Sequence, residues 1–413
     1  MAALLLAGSI PCAMTGLLKN AQDLIVLRFV FLTLTHYVGF SPLAYPSLFI
    51  GILGATFVPC QFWMTQMFSP SAVGTANAIA GGWGNMGAGI TYLVMPAIYG
   101  GIRHHLPVSK AWRVVFVIPA GLCILVAIAT LLFSTDTPHG DWLRPSELTE
   151  NEVIDGLPSI NKGKRKADEK SPSDIPVDNK DAGGEVTDDE TIADVRRNES
   201  PLSALNNFFK VLINPAVLIM VCTYACSFGI ELAIDNIIGT VYEKQFHLNP
   251  STGAYIGSIF GLLNICSRLS GGLFSDFMGR RFHIPGRILA LLIGMVLEGV
   301  FLIGFSAGLL ISLSTSIVLM VFFSFFVEAV CGLTFGIVPF IDPVNNGKVM
   351  GIVGAAGTLG GLIFNLMFLG FGTHYAKAFL CLGCVALGVA LIGSALLRVQ
   401  NKTVWHLYKE RYM

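Results

Sequence analysis

Apolar residues run along this chain in blocks of about 20, the length that carries an α-helix across a roughly 30 Å hydrocarbon layer. In the first part of the chain such blocks cover Ala2–Leu18, a stretch opening at Leu24–Val30, Phe49–Phe68, Gly74–Gly100 and Trp112–Phe133. After a polar interval they resume over Pro215–Val241, Ser251–Phe277, Arg287–Phe305, Ile311–Ile341, Val349–Phe371 and Ala378–Leu397. Lipid offers the backbone no hydrogen bonds, so repeated blocks of this length predict helices that satisfy their own N–H and C=O groups. The predicted fold class is an all-α polytopic membrane protein.

The polar interval, Asp141–Ser200, has few large apolar residues and dense charge of both signs, as in NKGKRKADEK and DAGGEVTDDE. That composition predicts a disordered, water-exposed connector. It divides the chain into a transmembrane half over 1–138, a charged loop over 139–208, a second transmembrane half over 209–398 and a tail over 399–413. Basic clusters at Arg280, Arg281 and Arg287, and at Arg398, Lys402, Lys409 and Arg411, fall on the same side as the loop. By the positive-inside rule that side is cytosolic.

Within Gly74–Gly100, the residues Gly81, Gly84, Asn85, Ala88 and Gly89 share one helical face. In lipid such a stripe lets a second backbone approach closely, and this packing takes the place of a hydrophobic drive. Asn85 sits in the stripe, and an unpartnered carboxamide in hydrocarbon costs on the order of 2–7 kcal/mol. The run Gly81-Gly-Trp-Gly84-Asn85-Met-Gly87-Ala88-Gly89 returns as Gly354-Ala-Ala-Gly357-Thr358-Leu-Gly360-Gly361. Internal repeats of this kind build a midplane site between two halves of a transporter.

The paired runs GGWGNMGAG and GAAGTLGG resemble the two signature motifs of the nitrate/nitrite porters of the major facilitator superfamily, in particular the high-affinity transporters of plants, algae and fungi. The resemblance implies a twelve-helix fold of which about ten helices are present, the first two of the family being absent from the N-terminal part. Residues 30–48 interrupt the family pattern and contain two prolines and a Ser-Pro. They are read either as a gene-model error or as an additional loop.

Arg268 lies deep in the block Ser251–Phe277, about 12 Å along the helix from Asp276 at 1.5 Å per residue. An Arg at that depth needs a cavity, a partner or an anion. A structural ion pair and an anion-binding fork are both consistent with it, and the planar guanidinium suits a flat oxyanion. The family resemblance assigns it the second role, through a matching Asn264, Arg268, Gly271, Gly272 pattern. Tyr224, Phe228, Glu231 and Asp235 share one face of the preceding helix. The resemblance implies that Tyr224 and Phe228 shape the anion cavity, while Glu231 and Asp235 either relay protons or line the outer mouth. The expected substrate-binding set is therefore Arg268, Asn85, Tyr224, Phe228, Asn264 and Thr358. Thr358 departs from the family's Asn, with Asn365 on the same face. Gly81, Gly84, Gly87, Gly89, Gly354, Gly357 and Gly361 are expected to pack helices. Asp276, Arg280 and Arg281, in Gly272-Leu-Phe-Ser-Asp276-Phe-Met-Gly279-Arg280-Arg281, resemble the superfamily's gating motif. Glu298 and Glu328 are buried by hydropathy and take no assigned role.

Composition narrows the function class. The 413 residues are 54% hydrophobic and 13% charged, with mean hydropathy +0.68 and net charge +0, which gives no electrostatic footprint for nucleic acid. Nine cysteines show no metal-ligand spacing, and the Cys381/Cys384 pair lies in an apolar helix. No nucleophile–base pair or phosphate loop points to an enzyme, and no cofactor is expected. The expected activity is secondary transport of nitrate, with nitrite, in step with protons, at the plasma membrane. An accessory subunit is not readable from the chain. The alternatives are a non-transporting nitrate sensor and a carrier of another small anion.

Overall fold

The computed structural model describes residues 2–14, 54, 56–134 and 201–407. The interruption at 30–48, the start of the block at Leu24, most of the charged loop, Lys409 and Arg411 lie outside the described residues. The chain divides into two compact units, one made of 1–139 with 212–413 and one of 140–211. In the second unit the described segment is the start of a helix, Pro201–Leu212, which takes in part of the predicted loop.

The described part of the first unit is built of helices joined by short turns, without strands. In chain order the helices are α1 (Ala2–Met14), α2 (Phe57–Met67), α3 (Val73–Arg103), α4 (Val108–Val115) and α5 (Val117–Phe133). The helix of the second unit is α6, and α7 (Pro215–Gln245), α8 (Pro250–Gly308), α9 (Leu313–Phe335), α10 (Asn346–Phe371) and α11 (Tyr375–Leu396) follow. The described part of the predicted span Phe49–Phe68 is the shorter α2. The predicted span over 112–133 is α4 and α5 together, one apolar stretch Lys110–Phe133 that keeps helical backbone angles at Phe116, where the two meet.

Local sequence explains where the helices begin. Asn214 caps α7, its side chain accepting from the Ala216 N–H at 3.0 Å, and Pro215 occupies the first turn where no N–H is needed. Ser312 caps α9 in the same way through the Thr315 N–H. Among the described residues six helical stretches are long and apolar enough to cross a membrane, α4 with α5 counting as one. The 31-residue α3 is also long enough, at about 46 Å, although its glycines and amides make it less apolar.

The predicted spans 251–277 and 287–305 are the two limbs of α8. Its 59 residues would extend about 88 Å if straight, far beyond one bilayer crossing. The turn is at Phe282 (φ −133, ψ 15) and His283 (φ 52, ψ −144), where the chain leaves the helical region. A positive φ is unusual for a residue with a Cβ. The reversal is tight enough that a Cβ on Gly286 would strike the Met278 carbonyl. The functional geometry sits on α8, with α7 and α9 on one side and α3 on another.

Candidate functional site

Arg268 projects from the first limb of α8 and is 1% exposed. Its Nε donates to Asn264 Oδ1 at 3.0 Å, one turn earlier on the same helix. Its Nη2 donates to Glu231 Oε2 of α7 at 2.5 Å, and the two groups form an ion pair. Asn264 Nδ2 completes a ring by donating to Glu231 Oε1 at 2.6 Å. The Cys331 thiol of α9 reaches the same carboxylate, Sγ to Oε2 at 3.2 Å. Three donors thus converge on Glu231, which compensates the desolvation of a buried carboxylate.

The guanidinium also faces an aromatic wall. Its Cζ lies 5.7 Å from the Phe228 ring centroid, within cation–π range. Tyr224 stacks on Phe228 at 5.1 Å and 10°, as the one-turn spacing on α7 predicts. Phe57 of α2 also stacks on Phe228, at 5.9 Å and 11°. Phe335 of α9 closes the cluster edge-on to Tyr224 and Phe57. The Tyr224 hydroxyl is buried beside the Arg268 guanidinium.

Glycines determine how closely the helices meet here. A Cβ at Gly81 of α3 would lie 3.2 Å from both Arg268 Nη1 and Gln61 Nε2, so a side chain there competes with the guanidinium. Further along, Gly89 meets Gly261 of α8 so closely that a Cβ on either would overlap the other backbone. On the opposite side, a Cβ at Gly357 of α10 would lie 2.7 Å from the Tyr224 and Phe228 rings. Gly354 faces Val58 and Gly361 faces Leu232. Gly84 and Gly87 differ from the packing role expected of them: a Cβ at either would meet nothing within 4 Å. The seam of α3 therefore follows Gly74, Gly82 and Gly89, one step around the helix from Gly84. Trp83, 67% exposed, shows how far that other face is uncovered.

Two expected binding residues are not joined to the cluster. Asn85 is half-buried, and its Nδ2 has no partner among the described residues. Thr358 is exposed and donates to the Gly354 carbonyl of its own helix at 3.4 Å. Asn365 likewise donates to Gly361, four residues back. Asn264, expected to touch substrate, has its oxygen on Arg268 and its amide on Glu231. Gln61, 1% exposed beside Gly81, is an additional buried polar residue, its Oε1 unpartnered. Its position on a short apolar helix gave no sequence signal.

At the opposite end of the first limb, Asp276 accepts from the Gly74 N–H at 3.2 Å, the Thr75 N–H at 2.7 Å and the Thr75 hydroxyl at 2.6 Å. A carboxylate is well placed at the N-terminus of α3, where free N–H groups and the helix dipole both favour negative charge. Its cationic partner is Arg287, Nη1 to Oδ1 at 2.8 Å. Arg280 and Arg281, grouped with Asp276 in the expected gating motif, are both exposed, and Arg280 reaches the Ser71 carbonyl at 3.3 Å. The tight turn at 282–283 brings Arg287 back over Asp276 and directs the two preceding arginines outward. Arg287 also donates to Ser275 and to the Gly336 and Pro70 carbonyls, so one guanidinium ties α8 to the segments before α3 and after α9. No group of His, Cys, Asp and Glu suited to a metal ion occurs among the described residues.

The Major Facilitator Superfamily profile matches residues 24–364. High affinity nitrate transporter 2.5 of Arabidopsis thaliana is 37% identical over 350 residues, covering 84% of this chain and 59% of that protein. Nitrate transporter 2.2 of Chlamydomonas reinhardtii is 36% identical over 329 residues, covering 78% of this chain and 54% of its own. The chain thus spans a little over half the length of these curated relatives. Among solved structures, the fucose:proton symporter FucP of E. coli superposes with a TM-score of 0.51 at 12% identity, covering 95% of this chain and 84% of that one. This likeness is one of fold.

Proposed function

The chain belongs to the Major Facilitator Superfamily and is an integral membrane protein, and from this premise we propose that it carries nitrate, with nitrite as a second substrate, by alternating access in step with protons. The observation that carries the reading is Arg268: a guanidinium buried at depth in a span, held by Asn264 and facing stacked aromatic rings. A planar fork beside flat rings favours a small, flat, weakly hydrated anion over a bulky or strongly hydrated one. Similarity to nitrate transporters of a plant and an alga supports the same choice.

In this reading Arg268, Tyr224 and Phe228 touch the anion, and Asn264 orients Arg268. Asn85 and Thr358 line the wider cavity around this site. The Asp276–Arg287 pair with the N-terminus of α3 is a latch on the cytosolic side, closed in this conformation, that opens once per cycle. The central loop and the C-terminus are cytosolic, and the protein resides in the plasma membrane. The protein is not an enzyme.

The test is flux. The full chain reconstituted in liposomes should accumulate labelled nitrate when the outside is made acidic, and Arg268→Ala should reduce accumulation to the level of protein-free liposomes. Accumulation no faster than in empty liposomes removes the transport reading.

A further inference from the structure

The ion pair at Arg268 sets a condition on anion binding. The guanidinium has two strong uses on its inner side, Asn264 Oδ1 on Nε and Glu231 Oε2 on Nη2. An anion taking the Nη1–Nη2 edge in bidentate fashion must share Nη2 with the Glu231 carboxylate, which sets two negative groups on one nitrogen. We propose that Glu231 is a built-in competitor for Arg268, and that a proton delivered from solvent to its carboxylate releases the guanidinium to the substrate anion. This rests on reading Arg268 as the anion site.

Charge accounting supports it. The groups within electrostatic reach of Glu231 are Tyr224 and Asp235 on its own helix, Arg268 and Glu298 on the two limbs of α8, and Glu328 and Cys331 on α9. Glu298 and Glu328 are 0% exposed, and all four of their oxygens lack hydrogen-bond partners among the described residues. Ser267, beside Glu328, commits its own proton to the Leu263 carbonyl. A buried carboxyl group without donors is costly to ionise, which sets these two apart from Glu231 with its three donors. Within the Arg268–Glu231 pair the two charges cancel. Arg268 stays protonated throughout. If an anion displaced an ionised Glu231, the pocket would hold two negative groups against one positive one. If Glu231 were protonated with no anion present, Arg268 would be left bare. Taking up one proton and one anion together preserves neutrality, so each ligand favours the other by reciprocal linkage. The Glu231 carboxylate becomes a carboxylic acid, no other bond changes, and deprotonation on the far side restores the ion pair as the anion leaves.

The experiment is nitrate binding to the purified full chain between pH 5.5 and 8, with Glu231→Gln alongside. The expected result is an apparent Kd that rises with pH in the parent, by up to about tenfold per unit for one proton taken up per anion. Glu231→Gln should bind with no pH slope and, at pH 8, about tenfold or more tighter than the parent. Infrared difference spectra on nitrate addition should show a protonated-carboxyl band that Glu231→Gln lacks, a change that a merely structural role would not produce. A flat pH profile in the parent, or an unchanged slope in Glu231→Gln, overturns the inference while leaving the anion site standing. If Glu231→Gln does not survive purification, proton uptake by the parent in weak buffer decides: about one proton per nitrate supports the inference and none overturns it. Silence of the parent toward nitrate, nitrite and chlorate alike would instead remove the anion-site reading, and this inference with it.

Discussion

Arg268 and Glu231 are bound to each other inside the helical core, Nη2 to Oε2 at 2.5 Å, each 1% exposed. A buried pair of this kind contributes little by itself, yet losing one partner costs about 3–5 kcal/mol because the other is left uncompensated. That asymmetry makes the pair suited to a switch, and it makes single substitutions here informative.

Arg268→Lys keeps the charge but cannot bond Asn264 and an anion together as a fork. Initial rates of nitrate uptake, in cells lacking their own carriers, should fall about 10- to 100-fold, the equivalent of one lost charge-assisted hydrogen bond. Unchanged kinetics would remove Arg268 from the substrate site.

Gly89→Ala and Gly84→Ala are the same chemical change on neighbouring faces of α3. At Gly89 the new methyl group would overlap the backbone at Gly261, and overpacking of that kind costs about 1–3 kcal/mol. At Gly84 it meets nothing within 4 Å, and the helix gains about 0.5–1 kcal/mol from the lost backbone freedom of glycine. Thermal unfolding in detergent should separate the two variants in opposite directions. Equal shifts would show that α3 does not seat on α8 along this seam.

Arg287→Ala should be costly and Arg281→Ala nearly silent. Arg287 holds Asp276, Ser275 and two backbone carbonyls, so its removal strands a buried carboxylate, at about 3–5 kcal/mol. Arg281 is exposed, and its loss should stay within about 0.5 kcal/mol. Comparable destabilisation of the two would contradict the partner assignment.

Asp276→Asn tests the latch directly. The neutral amide weakens the link to Arg287 and to the N-terminus of α3, so the end at Ser71 should part more often from Arg280. Spin labels on cysteines at these two exposed positions should report longer distances in Asp276→Asn than in the parent. An identical distance distribution would show that this contact does not hold the halves together.

Thr358→Asn restores the amide seen in the first motif. The present hydroxyl is spent on its own helix, so uptake should stay within about twofold. Loss of uptake would place Thr358 against a group that its own helix does not reveal.

Much of this molecule is determined by residue order alone. Runs of apolar residues longer than a bilayer crossing must become helices because lipid cannot satisfy a bare backbone. Asn214-Pro215 and Ser312 start α7 and α9 where their side chains can take the first free N–H groups. The one-turn spacing of Tyr224 and Phe228 already places their rings together, and the depth of Arg268 already demands a counter-charge. What order could not decide was which faces meet. In water the apolar stripe of a helix marks its inner side, but in lipid both sides are apolar, so the seam of α3 at Gly74, Gly82 and Gly89 could not be told from its neighbour at Gly84 and Gly87. The partner of Arg268 lies on another helix, and only the crossing of α7 with α8 selects Glu231 over Asp235, one turn away. Likewise, Arg280 and Arg281 stand closer in sequence to Asp276, yet the reversal at Phe282 and His283 hands the pairing to Arg287. Local propensity sets the helices; the angles between them, fixed by glycine contacts and one sharp turn, set the chemistry.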